Sequence, residues 1–303
     1  MSTLDDSSEE KMSEQFQNVT KGKECEIGNN LKILGDGKII LGNNVTIGSN
    51  VAINVKEKLV IGDRSIIGNN FLIEGREIEI GTEFWSGFNC IIGGGSCFEK
   101  PSKLKIGYWV HLGNYGMINT ARPVTIGNEV GMGIETKIYT HGAYLSMIDG
   151  FPAEFGPIEI GNHVWLPYAV VLPNVHIGDN VVVGAGAMVT KDLPSGCLAV
   201  GMPAKPIREN CFPKKFTRKE KKQLLDDFVK HFVNDIESAT VSYREAFDEI
   251  WLLNEKGDWV RFNLPERHIS GEPTALSERL RNELRRYGVR FKSYPEGNGY
   301  RHW

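Results

Sequence analysis

An aliphatic residue followed by glycine recurs through most of this 303-residue chain. The pairs are Ile27-Gly28, Leu41-Gly42, Ile47-Gly48, Ile61-Gly62, Ile67-Gly68, Ile80-Gly81, Ile106-Gly107, Leu112-Gly113, Ile126-Gly127, Ile160-Gly161, Ile177-Gly178 and Val183-Gly184. Neighbours fall six apart, from 41 to 47, 61 to 67, 106 to 112, 126 to 132 to 138, and 177 to 183 to 189. Four positions after the aliphatic stands a further small or apolar residue, as in Val45, Val51, Ser65, Phe71, Val181 and Ala187. Neither the helical period of 3.6 nor the strand period of 2 generates this spacing. A short fixed repeat that cannot bury its apolar residue alone must stack on copies of itself.

The geometry follows from the hexad. Each unit is a short strand plus a corner, three units close one 18-residue coil of a triangular prism, and the aliphatics stack into a continuous core. Corners require backbone that tolerates positive φ, which favours Asn and Gly. Asn30, Asn44, Asn50, Asn70, Asn180 and Gly186 fall three residues after the aliphatic, where the corner would lie. The 34 glycines are thereby given a systematic use. Gly-rich antiparallel hairpins, the competing reading, would not hold a dozen pairs in phase.

The repeat breaks at Gly93–Lys103, read as an out-looped turn, and at Gly142–Pro157, a longer excursion carrying Tyr144, Phe151 and Phe155. Long loops inside a compact repeat are commonly functional. Beyond Ile207 the pattern changes: Thr217–Ile236 has helical periodicity, Glu249–Phe262 reads as a hairpin around Lys256-Gly257-Asp258, Ala275–Tyr287 as a helix and Val289–Tyr294 as a last strand. The expected organisation is a flexible segment over 1–23, a β-helix over 24–210 and an α+β appendage over 211–303.

Composition excludes several classes. Thirty-five Lys and Arg against 38 Asp and Glu give a net charge of −3, so no long-range field recruits nucleic acid. No apolar run approaches the ~20 residues that span a bilayer, and Met1–Thr20 is acidic and Ser-rich, unlike a secretory signal. Five cysteines without a CxxC pair suit a reducing cytoplasm and argue against a zinc knuckle. His111, His163 and His176 form no closely spaced ligand set, so no metal is expected.

From Glu24 to Arg208 the chain resembles the hexapeptide-repeat acyltransferases, a resemblance that implies a mainly β fold: a left-handed parallel β-helix, here of about ten coils, with the α+β appendage at its C-terminus. The stretch Thr140-His141, Val164-Trp165, Ile177-Gly178-Asp179-Asn180, Val183-Gly184-Ala185-Gly186, Val189-Thr190-Lys191-Asp192-Leu193-Pro194 and Gly201-Met202-Pro203-Ala204-Lys205-Pro206-Ile207-Arg208 is similar to the C-terminal signature of the sugar and xenobiotic O-acetyltransferases, such as the maltose and galactoside transacetylases. The resemblance implies that His141 is the general base. Acyl transfer from a thioester to an alcohol requires removal of the hydroxyl proton, work suited to an imidazole near neutral pH.

It further implies acetyl-coenzyme A as donor, with Ala185 and Gly186 at the edge that meets its pantetheine arm, Thr190, Lys191, Lys205 and Arg208 as further contacts, and Trp165 and Tyr168 beside the thioester. Leu166–Leu172 is one residue shorter than the family pattern, with Pro167 in place of Gly, so that corner must be tighter. Asn114, Asn119 and Asp149 are the expected acceptor-side residues. A cytoplasmic homotrimer is implied, because the donor groove takes walls from two chains. The function expected is O-acetylation of a sugar hydroxyl in surface-glycan (capsule or lipopolysaccharide) synthesis. N-acetylation of an amino sugar and a non-catalytic β-helix scaffold are the alternatives.

Overall fold

In the computed structural model, which describes residues 17–234 and 240–292, the chain divides into two units, Met1–Pro213 and Lys214–Trp303. The division falls three residues beyond the expected boundary at 210.

The first unit is a parallel β-helix with three faces. One face stacks Glu26–Ile27, Thr46–Ile47, Ile66–Ile67, Trp85–Ser86, His111–Leu112, Gly131–Met132, Trp165–Leu166, Val182–Val183 and Leu198–Val200 in order. That gives nine levels where ten were expected. The second face runs from Lys32–Ile33 through Ile91–Ile92, Met117–Ile118, Lys137–Ile138 and Ala169–Val171 to Ala187–Val189, and the third from Lys38–Leu41 through Lys103–Ile106, Val124–Ile126 and Ile158–Ile160 to Val175–Ile177. The long strands Ala52–Ile61 and Leu72–Ile80 continue across both the second and third faces. This is the left-handed parallel β-helix, closed at its end by Lys205–Arg208, which returns antiparallel to Leu198–Val200.

The hexad aliphatics fill the prism. Leu41, Ile47, Ile61, Ile67, Ile106, Leu112, Ile177 and Val183 are buried, as are Val45, Val51, Ser65, Phe71, Val181 and Ala187. All six corner residues read from the repeat take left-handed backbone, Asn30, Asn44, Asn50, Asn70 and Asn180 with φ between 55° and 59° and Gly186 with φ 77°. The glycine after each aliphatic has another cause. A Cβ on Gly48 would lie 2.8 Å from the backbone carbon of Gly68 one coil on, so close approach of the coils selects glycine there.

Side-chain ladders stitch the corners together. Asn30 Nδ2 donates to Asn50 Oδ1 at 3.0 Å, and Asn50 Nδ2 to Asn70 Oδ1 at 3.1 Å. The early coils hold 20 residues, with Glu26 on Thr46 and Thr46 on Ile66, rather than 18. The two interruptions are true excursions: Trp85 to His111 takes 26 residues and Gly131 to Trp165 takes 34. Within the second excursion His141–Gly142 pairs antiparallel with Glu154–Phe155, making the loop a hairpin rooted at His141.

The second unit has its own core. Helix α1 (Arg218–Asn234) and helix α2 (Ala275–Arg286) bury Leu225, Val229, Phe232, Leu280 and Leu284 with Ile250, Leu252, Val260 and Phe262 of an antiparallel sheet. The sheet orders Thr240–Arg244, Glu249–Leu253, Trp259–Asn263 and His268–Ser270, so the expected hairpin is the middle of a four-stranded meander. Thr274 caps α2, its hydroxyl accepting from Ser277 N–H at 3.2 Å. The expected last strand is corrected: Val289–Lys292 join no ladder, because Phe291 turns into the core against Phe262, ring centroids 5.5 Å apart. Ile236 and residues 293–294 of that reading lie outside the described residues.

Candidate active site

His141 leaves the second face three residues after Ile138, at the corner shared with the third face. One level earlier on the same corner stands Asn119, following Ile118, whose N–H-bearing strand lies beside Lys137–Ile138. Asn119 is fully buried. Its Nδ2 donates to Gly93 O at 3.1 Å and to Gly95 O at 3.2 Å, which fixes the orientation of the amide. Oδ1 is therefore the atom facing His141 Nδ1 at 2.9 Å, and an amide oxygen only accepts. Nδ1 carries a proton, so in the neutral imidazole it is Nε2 that keeps the lone pair: the tautomer of a base. Ala121 N–H donates to the same Oδ1 at 3.2 Å and the buried Thr140 hydroxyl does so as well, holding the acceptor in place.

The Nε2 edge of the ring borders the Gly93–Gly95 turn. A Cβ on Gly95 would sit 3.3 Å from Nε2, so glycine there keeps this edge clear. One face of the imidazole is stacked by Phe155 of the hairpin, centroids 5.4 Å apart and planes 17° apart. The Arg122 guanidinium lies over that same phenyl ring, 4.5 Å from its centroid, and bonds Glu99 Oε2 at 3.1 Å. Hydrogen bonds from Ser96 and then Arg122 hold the Glu99 carboxyl below the usual carboxylate range, so the pair is charged. Burial pushes the thiols of Cys90, Cys97 and Cys197 up, which leaves them poor nucleophiles.

The remaining sequence-selected residues distribute over the second face and its neighbours. Thr190 follows the last strand of that face on the same corner as His141, two levels further along, about 10 Å at the usual strand spacing, with Lys191 exposed beside it. Tyr168, Ala185 and Gly186 stand at the opposite edge of the face, where Gly186 N–H donates to Tyr168 O at 2.7 Å. Gly186 has open space where a Cβ would project, Ala185 is exposed, and the edge offers close approach to a ligand. Lys205 and Arg208 are exposed on the closing strand, and the turn before it meets the face through Ala204 N–H to Met188 O at 2.7 Å. Trp165 belongs to the first face, its indole lying outward over Gly131 and 42% exposed.

The three acceptor-side expectations fall in three different places. Asn119 is spent on His141 and on Gly93 and Gly95, with no surface for a sugar. Asn114 stands at the far edge of the second face, where its Oδ1 accepts from Phe88 N–H at 3.1 Å as part of a corner ladder. Asp149 ends the exposed turn Met147–Asp149 of the hairpin loop. Sequence reasoning missed Gly95, Arg122, Glu99 and Thr140. The run Gly93-Gly94-Gly95 was the available signal, since glycines mark close backbone approach.

Residues 157–191 match the family described as bacterial transferase hexapeptide (six repeats). Over 120 residues, 37% of this chain and 58% of the relative, the sequence is 42% identical to a Schizosaccharomyces pombe protein described as a "Putative acetyltransferase". Over 127 residues, 39% of this chain and 63% of the relative, it is 34% identical to the galactoside O-acetyltransferase of Escherichia coli K12. The chain thus spans about three-fifths of the length of these curated relatives. The crystal structure of the polysialic acid O-acetyltransferase OatWY aligns with 68% of this chain and 99% of its own at 20% identity, with a TM-score of 0.42. Among the described residues no helix is long and apolar enough to cross a membrane.

Proposed function

We propose that this chain, a hexapeptide-repeat protein of the acetyltransferase family, transfers the acetyl group of acetyl-coenzyme A to a sugar hydroxyl with His141 as general base. One observation carries the reading: Asn119 Oδ1 holds His141 Nδ1–H at 2.9 Å and leaves Nε2 as the proton acceptor beside Gly95. The galactoside O-acetyltransferase similarity and the family match at 157–191 support the reaction class.

His141 Nε2 takes the proton of the acceptor hydroxyl as its oxygen forms a bond to the thioester carbonyl carbon. As the carbon–sulfur bond breaks, the same Nε2–H returns the proton to the departing thiolate, and the products are the O-acetyl sugar and the free thiol. Such proton transfer contributes about 10²–10⁴-fold. The residues assigned to the donor fit it: the small Ala185 and Gly186 leave room for a chain laid along the coil edge, and the exposed cations Lys205 and Arg208, with Lys191 on the border that carries His141, suit its phosphates.

A homotrimer is part of the proposal, since donor edge and base stand on opposite borders of one face and a second chain supplies the missing wall. The outward row Trp85, His111 and Trp165 on the first face supports such an interface, the first two rings packing 4.1 Å apart. We place the activity in the synthesis of a surface glycan in the cytoplasm. His141→Ala tests the reading directly: thiol release from acetyl-coenzyme A in the presence of a sugar acceptor should fall by about 10³-fold. Turnover close to the parent's would remove His141 as the base.

A further inference from the structure

The second unit presents a sheet face whose composition is unusual for a solvated surface. Ile250, Leu252, Val260, Phe262 and Ile269 point to the helices, and the alternate residues point away. Three cross-strand rows result. The central row is Ser242, Trp251, Arg261 and Ser270. On one side lies Thr240, Leu253 and Trp259, and on the other Arg244, Glu249, Asn263 and His268.

The two indoles lie 5.9 Å apart, and Trp259 is 40% exposed. Both Arg244 and Arg261 place their guanidinium carbon 5.6 Å from the Trp251 ring centre. Trp251 Nε1–H donates to Glu249 Oε2 at 2.7 Å, and Asn263 Nδ2 donates to Glu249 Oε1 at 3.3 Å, so the aromatic platform is braced from the neighbouring row of the same face. Four strands at about 4.8 Å spacing give a strip roughly 14 Å across, apolar along one border and lined with hydrogen-bonding groups along the other.

We infer that this face binds an acidic glycan chain and so holds the polymeric acceptor of the acetyl transfer proposed above, a step that rests on that reading. A sugar ring has an apolar C–H face and an equatorial rim of hydroxyls, and the strip repeats that division: Trp259 meets the apolar face, while Asn263 and the exposed Arg261 meet the rim. Arg261 and Arg244 supply guanidinium forks for a carboxylate, which such forks bind in bidentate geometry.

The test uses the full chain in native gels cast with polygalacturonate, with dextran, with polyuridylate or with no polymer. Polygalacturonate should retard the protein and dextran should retard it less. Trp259→Ala and Arg261→Ala should each weaken the apparent affinity at least about fivefold. Trp259→Phe, which keeps a ring, should retain most of it and shows that the sheet still folds. Thiol release with a monosaccharide acceptor, measured in parallel, should be the same for all four proteins. Absence of retardation by polygalacturonate overturns the inference, as does retardation that survives Trp259→Ala. Equal retardation by dextran removes the arginine role, and equal retardation by polyuridylate replaces the glycan with nucleic acid. Loss of thiol release in the parent with retardation intact would instead fault the reaction assigned to the first unit.

Discussion

At the residue level the molecule turns on one amide. A carboxylate in place of Asn119 could hold His141 too, but it could not donate to Gly93 O and Gly95 O. The amide does both, and its donors settle which of its atoms faces the ring. Asn119→Ala should therefore lower kcat by about 10²-fold while the KM for acetyl-coenzyme A changes less than about twofold, since ring orientation and tautomer are lost but the donor edge is untouched. A proportional rise in that KM would assign Asn119 to binding instead. Gly95→Ala separates access from orientation. Its backbone is not left-handed, so alanine folds there, but the methyl sits 3.3 Å from Nε2. We expect kcat/KM for the sugar to fall by at least about tenfold with an unchanged melting temperature. As a candidate, His141 could be picked out of the sequence because a signature surrounds it. The contact of Asn119 with it could not, because a buried asparagine and an acceptor-binding one look alike until the burial is seen.

Among the elements, the coil and its corner carry the stability. The inward aliphatics and left-handed asparagines could be read directly, since each is fixed by its own place in the hexad. Coil length could not, because the strand Ala52–Ile61 carries Val55 and Leu59 inward in addition to the hexad positions, and extra residues between repeats have no sequence mark. The two origins of selection at corners predict opposite responses. Gly48→Ala should destabilise by about 1–3 kcal/mol, because the neighbouring backbone cannot retreat. Asn50→Gly should cost less than Asn50→Ala, since glycine accepts the 59° φ that costs alanine roughly 1–2 kcal/mol. Thermal melts of the three variants check the order, and Gly48→Ala melting with the parent would refute the close-approach explanation. The ladder also predicts an acid response. Bonds from Asn162 N–H and Nδ2 hold the Asp179 carboxyl below its ordinary value of 3.8. A lowered folded-state pKa contributes stability that is fully present above the ordinary value and is lost as pH falls through the lowered one. Asp179→Asn should thus lose less stability than the parent when pH drops from 5 to about 3; parallel loss in both would show that this bond contributes nothing to the acid limb.

On the scale of the whole molecule, two cores that share no member imply two folding units. The β-helix core runs from Ile39 to Ala204, and the second gathers α1, α2 and the four-stranded sheet from Leu225 to Phe291. The sequence announced this change where the hexad stops near Ile207, but the flanking strands Thr240–Arg244 and His268–Ser270 escaped notice. The first alternates polar and apolar residues too weakly, and the second is three residues long. A solenoid is stabilised between neighbouring coils, so its stability is a sum of local interfaces and does not draw on a distant unit. Chain cut after Pro213 should therefore give a β-helix that melts cooperatively, assembles as a trimer by light scattering and releases thiol with a monosaccharide acceptor at the parent's rate. With a polymeric acceptor the same fragment should show a higher KM and an unchanged kcat, because tethering raises the local concentration of acceptor without touching the reacting atoms. An equal KM for the polymer would leave the second unit without a part in acceptor capture, and a monomeric fragment with full activity would show that the donor groove needs one chain alone.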